Sequence, residues 1–268
     1  MIILAVFGQP VHHSLSPRIH ARFAEEAGLE VVYTAIEAKP GSLNAALTRF
    51  AHDGGVGCNI TLPLKGEAAA LAGSTSKRVH RANAANTLIR DGQGWIADNT
   101  DGLGLVADLR RLGLDPAGRR VLLLGAGGAA AGVVAALLAG KPQTLCIANR
   151  SVGKALQLAE AHQDLGPVTA RSLDAPGTES FDLVLNATSL GHEGGVPALA
   201  ASLLSEGGAL YDLNYGPAAA PLAAWAAEEH IPYADGLGML VGQAAESFKL
   251  WTGYRPAIEP VLEGIRAG

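Results

Sequence analysis

Short apolar runs alternate with amphipathic stretches along most of the chain, and each pattern predicts its own element. Residues 2–7 read as a buried strand that stops at the turn residues Gly8-Gln9-Pro10. Apolar positions then recur at helical spacing through about Gly28, with Ser16 placed as the N-cap and Pro17 as the first helical residue. A second strand over 31–36, a helix over 43–52 and a third strand over 56–60 follow, the last running into the polar, proline-containing segment 59–65. Short helices are expected over 66–80. A hairpin is expected from 86–90 and 95–98, closed by Asp91-Gly92-Gln93-Gly94, and a further helix over 102–112.

Past Gly118 the alternation becomes strict. Strand patterns at 120–124, 143–149, 167–170, 181–186 and 208–213 are interleaved with helical or loop segments, which is the pattern of a parallel sheet built from βαβ units. The tail holds two helical patterns, 237–251 and 256–266, and carries no dinucleotide motif. It is therefore free to return to the first domain. The fold class is α/β. One stretch competes with that reading, because 121–140 is almost wholly Val, Leu, Ala and Gly, and hydropathy alone would make it a membrane span. The leucine run stops after four residues, however, and Gly125, Gly127 and Gly128 would break a lone helix in its first third. A buried strand, a tight turn and a buried helix account for the same letters.

With 49% hydrophobic and 17% charged residues, the 268-residue chain has a globular composition and is long enough for one large domain or two ordinary ones. Its 34 glycines, nearly double the usual share of about 7%, indicate many tight turns. The net charge is −5 and no polybasic run exists, which argues against nucleic acid or an anionic membrane as the main partner. Cys58 and Cys146 each sit in an apolar strand pattern and read as reduced core thiols. No basic-apolar leader opens the sequence, so a cytoplasmic location is expected.

The most specific chemistry lies after the first strand of the second half. Val121 to Leu124 run into Gly125-Ala126-Gly127-Gly128-Ala129-Ala130, a G-x-G-x-x-A turn. Gly125 permits the sharp strand-to-helix turn, Gly127 lets a pyrophosphate approach the backbone, and the small Ala130 allows close helix–strand packing. The following helix N-terminus offers amide groups and a positive dipole end to phosphates. An NAD site calls for an acid at the end of the next strand, about twenty residues on. This chain has Asn149-Arg150-Ser151 there, with Lys154 one helical turn beyond. Arg150 can pair with a 2′-phosphate that Asn149 and Ser151 hydrogen-bond, so NADP is the expected cofactor. Such a charge-assisted contact, ~1.5–3 kcal/mol, corresponds to about 10- to 100-fold in affinity. The same letters also suit Asn149 and Ser151 capping the next helix with Arg150 solvated, and the two roles are compatible.

Three polar clusters stand where apolar strands of the first domain end: His13-Ser14-Leu15-Ser16-Pro17, Asn59 through Lys65, and Asn86-Thr87 with Asp98-Asn99-Thr100-Asp101. Each has a structural alternative, with Ser16 as a cap, Asn86 as a turn residue and Asp101 as a first-turn acid. Together they converge on the strand ends where open α/β sheets bind ligands. Hydroxyls and amides suit a small, polyhydroxylated anion, and Lys65 and Asp101 are the candidates for proton transfer. A free lysine titrates near about 10.4, so a lysine base needs desolvation or a suitable neighbour, whereas an adjacent acid orients the amine but holds its proton more tightly.

Eight segments, in order and spacing, resemble the shikimate dehydrogenase family: Gly8 through Pro17, Asn59 through Lys65, Ala85-Asn86-Thr87, Asn99 through Gly102, the Gly125 turn, Asn149-Arg150, Asn186-Ala187-Thr188-Ser189 and Asp235 through Leu240. The resemblance implies a two-lobed protein. An N-terminal α/β substrate domain, 1–101 with 237–268, would accompany a Rossmann-type, doubly wound NADP domain over 102–236. It implies reversible NADPH-dependent reduction of 3-dehydroshikimate to shikimate in the pathway to chorismate and the aromatic amino acids, by a monomer or homodimer. By the same resemblance Ser14, Ser16, Thr61, Asn86, Asp101 and Gln243 hold the substrate, Lys65 assisted by Asp101 exchanges the proton, and Tyr215 lies near the substrate. Gly125 through Ala129, Asn149, Arg150, Ser151, Lys154, Thr188, Ser189, Gly236 and Met239 line the cofactor. The chain departs from relatives at Ala131, where many have Arg, at Ser151, a commoner Thr, and at Ala220, often Thr. An NAD-preferring quinate/shikimate dehydrogenase would carry an acid after the second strand, and a non-catalytic NADP-binding regulator would have no need of both Lys65 and Asp101.

Overall fold

A computed structural model of the chain describes residues 1–174 and 179–267. The chain forms two compact units, Met1–Gly104 with Val241–Gly268, and Leu105–Leu240. The sequence placed these boundaries at 101 and 237. They fall a few residues further on because each lies inside a helix, α5 (Asp101–Arg111) and α9 (Leu237–Thr252), where no turn or composition change marks them. Residue 268, the last of the expected substrate domain, lies outside the described residues.

The first unit is a six-stranded mixed sheet with strand order β2-β1-β3-β5-β6-β4. Its strands are β1 (Ile2–Gly8), β2 (Val31–Glu37), β3 (Gly55–Ile60), β4 (Ser74–Thr75), β5 (Thr87–Asp91) and β6 (Gly94–Asp98). Strand β1 runs parallel to β2 and β3, whereas β5 is antiparallel to both β3 and β6. The carboxyl ends of β1, β3 and β6 and the amino end of β5 therefore share one edge. A register row runs Val6–Asn59–Thr87–Asp98 across it. Alternate residues divide the burial, as strand geometry requires. Phe7, Cys58 and Ile60 pack with Leu43, Leu47 and Phe50 of α2 (Leu43–His52) and with Leu88 and Trp95. On the other side, His20 and Phe23 of α1 (Ser16–Ala27) meet Tyr33, Phe248 and Trp251. The last two belong to α9, and α10 (Ile258–Arg266) follows in the same unit.

Two local expectations change. The N-cap of α1 is Leu15 rather than Ser16, which is the first helical residue and buried; the Ser14 Oγ accepts from the Ser16 N–H at 3.2 Å. The region 66–80 holds helices α3 (Lys65–Leu71) and α4 (Lys77–Ala82), with the two-residue strand β4 between them.

The second unit is a fully parallel sheet, β12-β11-β10-β7-β8-β9. It comprises β7 (Arg120–Leu124), α6 (Gly128–Ala139), β8 (Thr144–Asn149), α7 (Val152–Glu160), β9 (Val168–Ser172), β10 (Phe181–Asn186), β11 (Leu204–Asp212), α8 (Ala220–Glu228) and β12 (Tyr233–Ala234). This is the doubly wound order, with its switch point between β7 and β10. Val121 and Leu123 face Val133, Val134 and Leu137 of α6, while Leu122 and Leu124 pack with Leu222 and Ala226 of α8, so both faces are covered. The stretch that hydropathy alone reads as a membrane span is thus β7, a turn and a twelve-residue helix. Among the described residues, no helix is long and apolar enough to cross a membrane.

Candidate active site

At the shared edge of the first sheet, the loops leaving β1 and β3 press together. The Thr61 N–H donates to the Phe7 carbonyl at 2.8 Å and the Gln9 N–H to that of Leu62 at 3.1 Å. A Cβ at Gly8 would collide with the Thr61 methyl, so glycine is required there. This contact brings the Ser14–Ser16 loop and Thr61 to one edge, and α3 begins four residues after Thr61 with Lys65.

Lys65 Nζ donates to Asp101 Oδ2 at 2.6 Å, and the two side chains are only 17% and 8% exposed. Asp101 is the first residue of α5, where its carboxylate meets the positive end of the helix dipole. Its other oxygen, Oδ1, accepts from Asn86 Nδ2 at 2.8 Å, and its N–H donates to Asn99 Oδ1 at 3.1 Å. The orientation of the Asn86 amide is determined by its surroundings: its Oδ1 accepts from the Thr100 N–H at 2.8 Å and from the Thr87 hydroxyl at 2.8 Å. Its Nδ2 must then face Asp101 and Gln243 Oε1, the latter at 3.0 Å. Behind this layer, Asn59 Nδ2 donates to the Asn86 carbonyl and to Ser247 Oγ, and Asn59 Oδ1 accepts from the Tyr33 hydroxyl at 2.7 Å.

The structure thus gathers Ser14, Ser16, Thr61, Lys65, Asn86, Asp101 and Gln243 in the first unit, with Lys65, Asn86, Asp101 and Gln243 in one bonded network. Tyr215 is not among them. It belongs to the second unit, just after β11, where burial pushes its hydroxyl up from the ordinary tyrosine range. Ser247 and Tyr33 escaped sequence reasoning, since neither stands in a polar cluster, and Ser247 reaches Asn59 from 188 positions away.

The glycine turn of the second unit fits a dinucleotide. Gly125 has φ +102°, and its Cβ would lie 3.0 Å from the Ala187 carbonyl oxygen, so only glycine serves. A Cβ at Gly127 or Gly128 would meet nothing within 4 Å, leaving open space over the start of α6, which no side chain caps. Ala130 is fully buried against the sheet. Amide groups with an open approach suit a pyrophosphate. At the end of β8, Asn149 Nδ2 donates to the Ser151 carbonyl at 3.0 Å, and Ser151 occupies the N-cap position of α7 without a side-chain cap bond. Arg150, Ser151 and Lys154 are exposed, and no described residue pairs with the Arg150 guanidinium. Thr188 and Ser189 follow β10, and Gly236 and Met239 follow β12. Gly236 is held against the Leu213 carbonyl, where a Cβ would not fit. Ala131 lies in the first turn of α6 and Ala220 opens α8.

Comparison with known proteins covers nearly the whole chain. Residues 6–88 match the family described as shikimate dehydrogenase substrate binding domain, 109–193 the shikimate / quinate 5-dehydrogenase family, and 236–263 the shikimate 5'-dehydrogenase C-terminal domain. A shikimate dehydrogenase (NADP(+)) of Xanthomonas campestris pv. campestris is 52% identical over 268 residues, covering 98% of this chain and 95% of the relative. Among solved structures, an Ael1 enzyme from Pseudomonas putida superposes with a TM-score of 0.92 at 40% identity, covering 98% of both chains. The shikimate 5-dehydrogenase of Thermus thermophilus in complex with NADP(H) and shikimate gives 0.89 at 34% identity, covering 100% of this chain and 99% of the other.

Proposed function

Because the chain belongs to the shikimate dehydrogenase family and interconverts 3-dehydroshikimate and shikimate with NADP(H), we propose that Lys65 and Asp101 form the proton-transfer pair of that reaction. The observation that carries the proposal is the short, shielded Lys65–Asp101 contact beside the neutral side chains of Asn86, Thr100 and Gln243, at an edge whose other carboxylate, Asp98, is already paired with Arg78. Bound NADPH supplies the hydride to the substrate carbonyl. As negative charge develops on that oxygen, the Lys65 ammonium stabilises it and delivers a proton; in the oxidative direction the Lys65 amine takes the proton back. Asp101 spends one oxygen on Lys65 and the other on Asn86, so the ammonium is aimed and two of its three protons stay available.

Ser14, Ser16, Thr61, Asn86 and Gln243 suit the carboxylate and ring hydroxyls of the substrate. The Gly125–Ala129 turn, Thr188, Ser189, Gly236 and Met239 suit the body of the dinucleotide, and Asn149, Arg150, Ser151 and Lys154 its 2′-phosphate.

The decisive experiment is an assay at 340 nm with shikimate and quinate, each crossed with NADP and NAD. Shikimate with NADP gives the highest kcat/KM; a preference for quinate or for NAD overturns this reading. Arg150→Ala raises the KM for NADP by about tenfold or more and leaves NAD use unchanged. Equal effects on the two cofactors would show that Arg150 does not read the phosphate.

A further inference from the structure

The second unit holds a fully buried carboxylate, Asp212, that the proposed reaction does not use. It ends β11, next to β10 in the sheet. Its Oδ1 accepts three N–H groups: Asn186 Nδ2 at 2.9 Å, the Asn214 backbone at 3.0 Å and Asn214 Nδ2 at 2.8 Å. Its Oδ2 makes no hydrogen bond of ordinary geometry among the described residues, although the Tyr233 hydroxyl lies beside the carboxylate, and burial pushes the acid up from its ordinary range. A carboxylate in such a place is costly unless the groups it organises need it.

Those groups converge on one residue. With its amide nitrogen turned to Asp212, Asn186 presents Oδ1 to both the Thr188 N–H, at 3.1 Å, and the Thr188 hydroxyl, at 2.8 Å. Asn214 Nδ2 also donates to the Thr188 carbonyl at 3.0 Å, and the Asn214 carbonyl accepts from the Gly236 N–H at 2.8 Å. One carboxylate oxygen thus ties together the segments leaving β10, β11 and β12, and defines the backbone and hydroxyl of Thr188. The preceding residue, Ala187, is the one whose carbonyl crowds Gly125 across the switch point.

We propose that Asp212 is a positioning residue for the dinucleotide, acting through Asn186 and Asn214 to hold the Thr188 and Gly236 segments in their binding arrangement. This rests on the reading that these segments line the NADP site. The test is direct binding of NADP+ and of shikimate by calorimetry to the wild-type protein, Asp212→Ala, Asp212→Asn and Asn214→Ala, with circular dichroism to identify the folded variants. Asp212→Ala is expected to bind NADP+ about tenfold more weakly or worse while its shikimate affinity stays within about twofold. Asp212→Asn, which keeps an Oδ1 acceptor, recovers most of the loss. Asn214→Ala, which removes the side-chain bonds to Asp212 and Thr188 but leaves the carboxylate and its backbone bond to residue 214, weakens NADP+ selectively and decides the matter if Asp212→Ala does not fold. NADP+ affinity unchanged in the folded variants, or equal loss of both ligands, overturns the proposal. A wild-type protein that fails to bind NADP+ would instead sink the reading beneath it.

Discussion

Lys65→Ala loses about 10²-fold or more in kcat, within the ~10²–10⁴ range that lost acid–base assistance produces. In that variant the Asp101 carboxylate keeps its bond to Asn86 but loses its cationic partner, which costs stability, so circular dichroism first establishes that the variant is folded. The KM for NADP stays near the wild-type value, because Lys65 is not among the residues proposed to hold the cofactor. Asp101→Asn separates the two members of the pair: the isosteric amide retains a hydrogen bond to Asn86 or to Lys65 but no longer offers the ammonium a negative partner. Its kcat falls as well, by less than in Lys65→Ala if the lysine is the group that exchanges the proton. Steady-state rates at 340 nm in both directions check both variants. Near-normal turnover in folded Lys65→Ala would falsify the assignment.

Much of this was legible in the residues. The helix over 43–52 and the strand over 120–124 were bounded correctly because apolar spacing and punctuation agreed at both ends. Strands β4 and β12 were missed, being two residues each, too short for any period to show. Strand β11 begins at Leu204, earlier than the apolar run at 208, because Leu204 pairs with Phe181 across an irregularity that only the neighbouring strand defines. Ser16 has the side chain of an N-cap, yet the following proline and the turn before it shift the helix start, and Ser14 supplies the oxygen instead. Polar residues at strand ends singled out Lys65, Asn86 and Asp101 as candidates, and the structure bonds the three together. Gln243 followed only from the family resemblance, since on a helix of mostly small and apolar residues its reach to Asn86, 157 positions away, leaves no local mark. The web around Asp212 was invisible for the same reason: its partners lie at the ends of different strands, and parallel strands bring together what the sequence separates.

Acid weakens the first unit through His20, and the effect is large. The ring stacks on Tyr33 with centroids 4.2 Å apart and is closed in by Phe23, Phe248 and Trp251; neither nitrogen has a hydrogen-bond partner among the described residues. Burial lowers its pKa from 6.5 to about 3, with the neighbouring Asn59 opposing in part. Between those two values the unfolded chain binds a proton that the folded chain refuses, so stability falls as pH falls. The contribution is complete above about pH 6.5, declines steadily below it and is gone near pH 3, a total of about 5 kcal/mol. Between pH 7 and pH 5 roughly 2 kcal/mol is at stake. His20→Phe keeps an aromatic ring in the cage and removes the titration. Urea unfolding at pH 7 and at pH 5 is expected to show the wild-type protein losing about 2 kcal/mol more than the variant over that interval, whatever their stabilities at pH 7. Parallel losses in the two proteins would mean that the imidazole is protonated in the folded chain, or reaches water, and that its aromatic cage does not exclude charge.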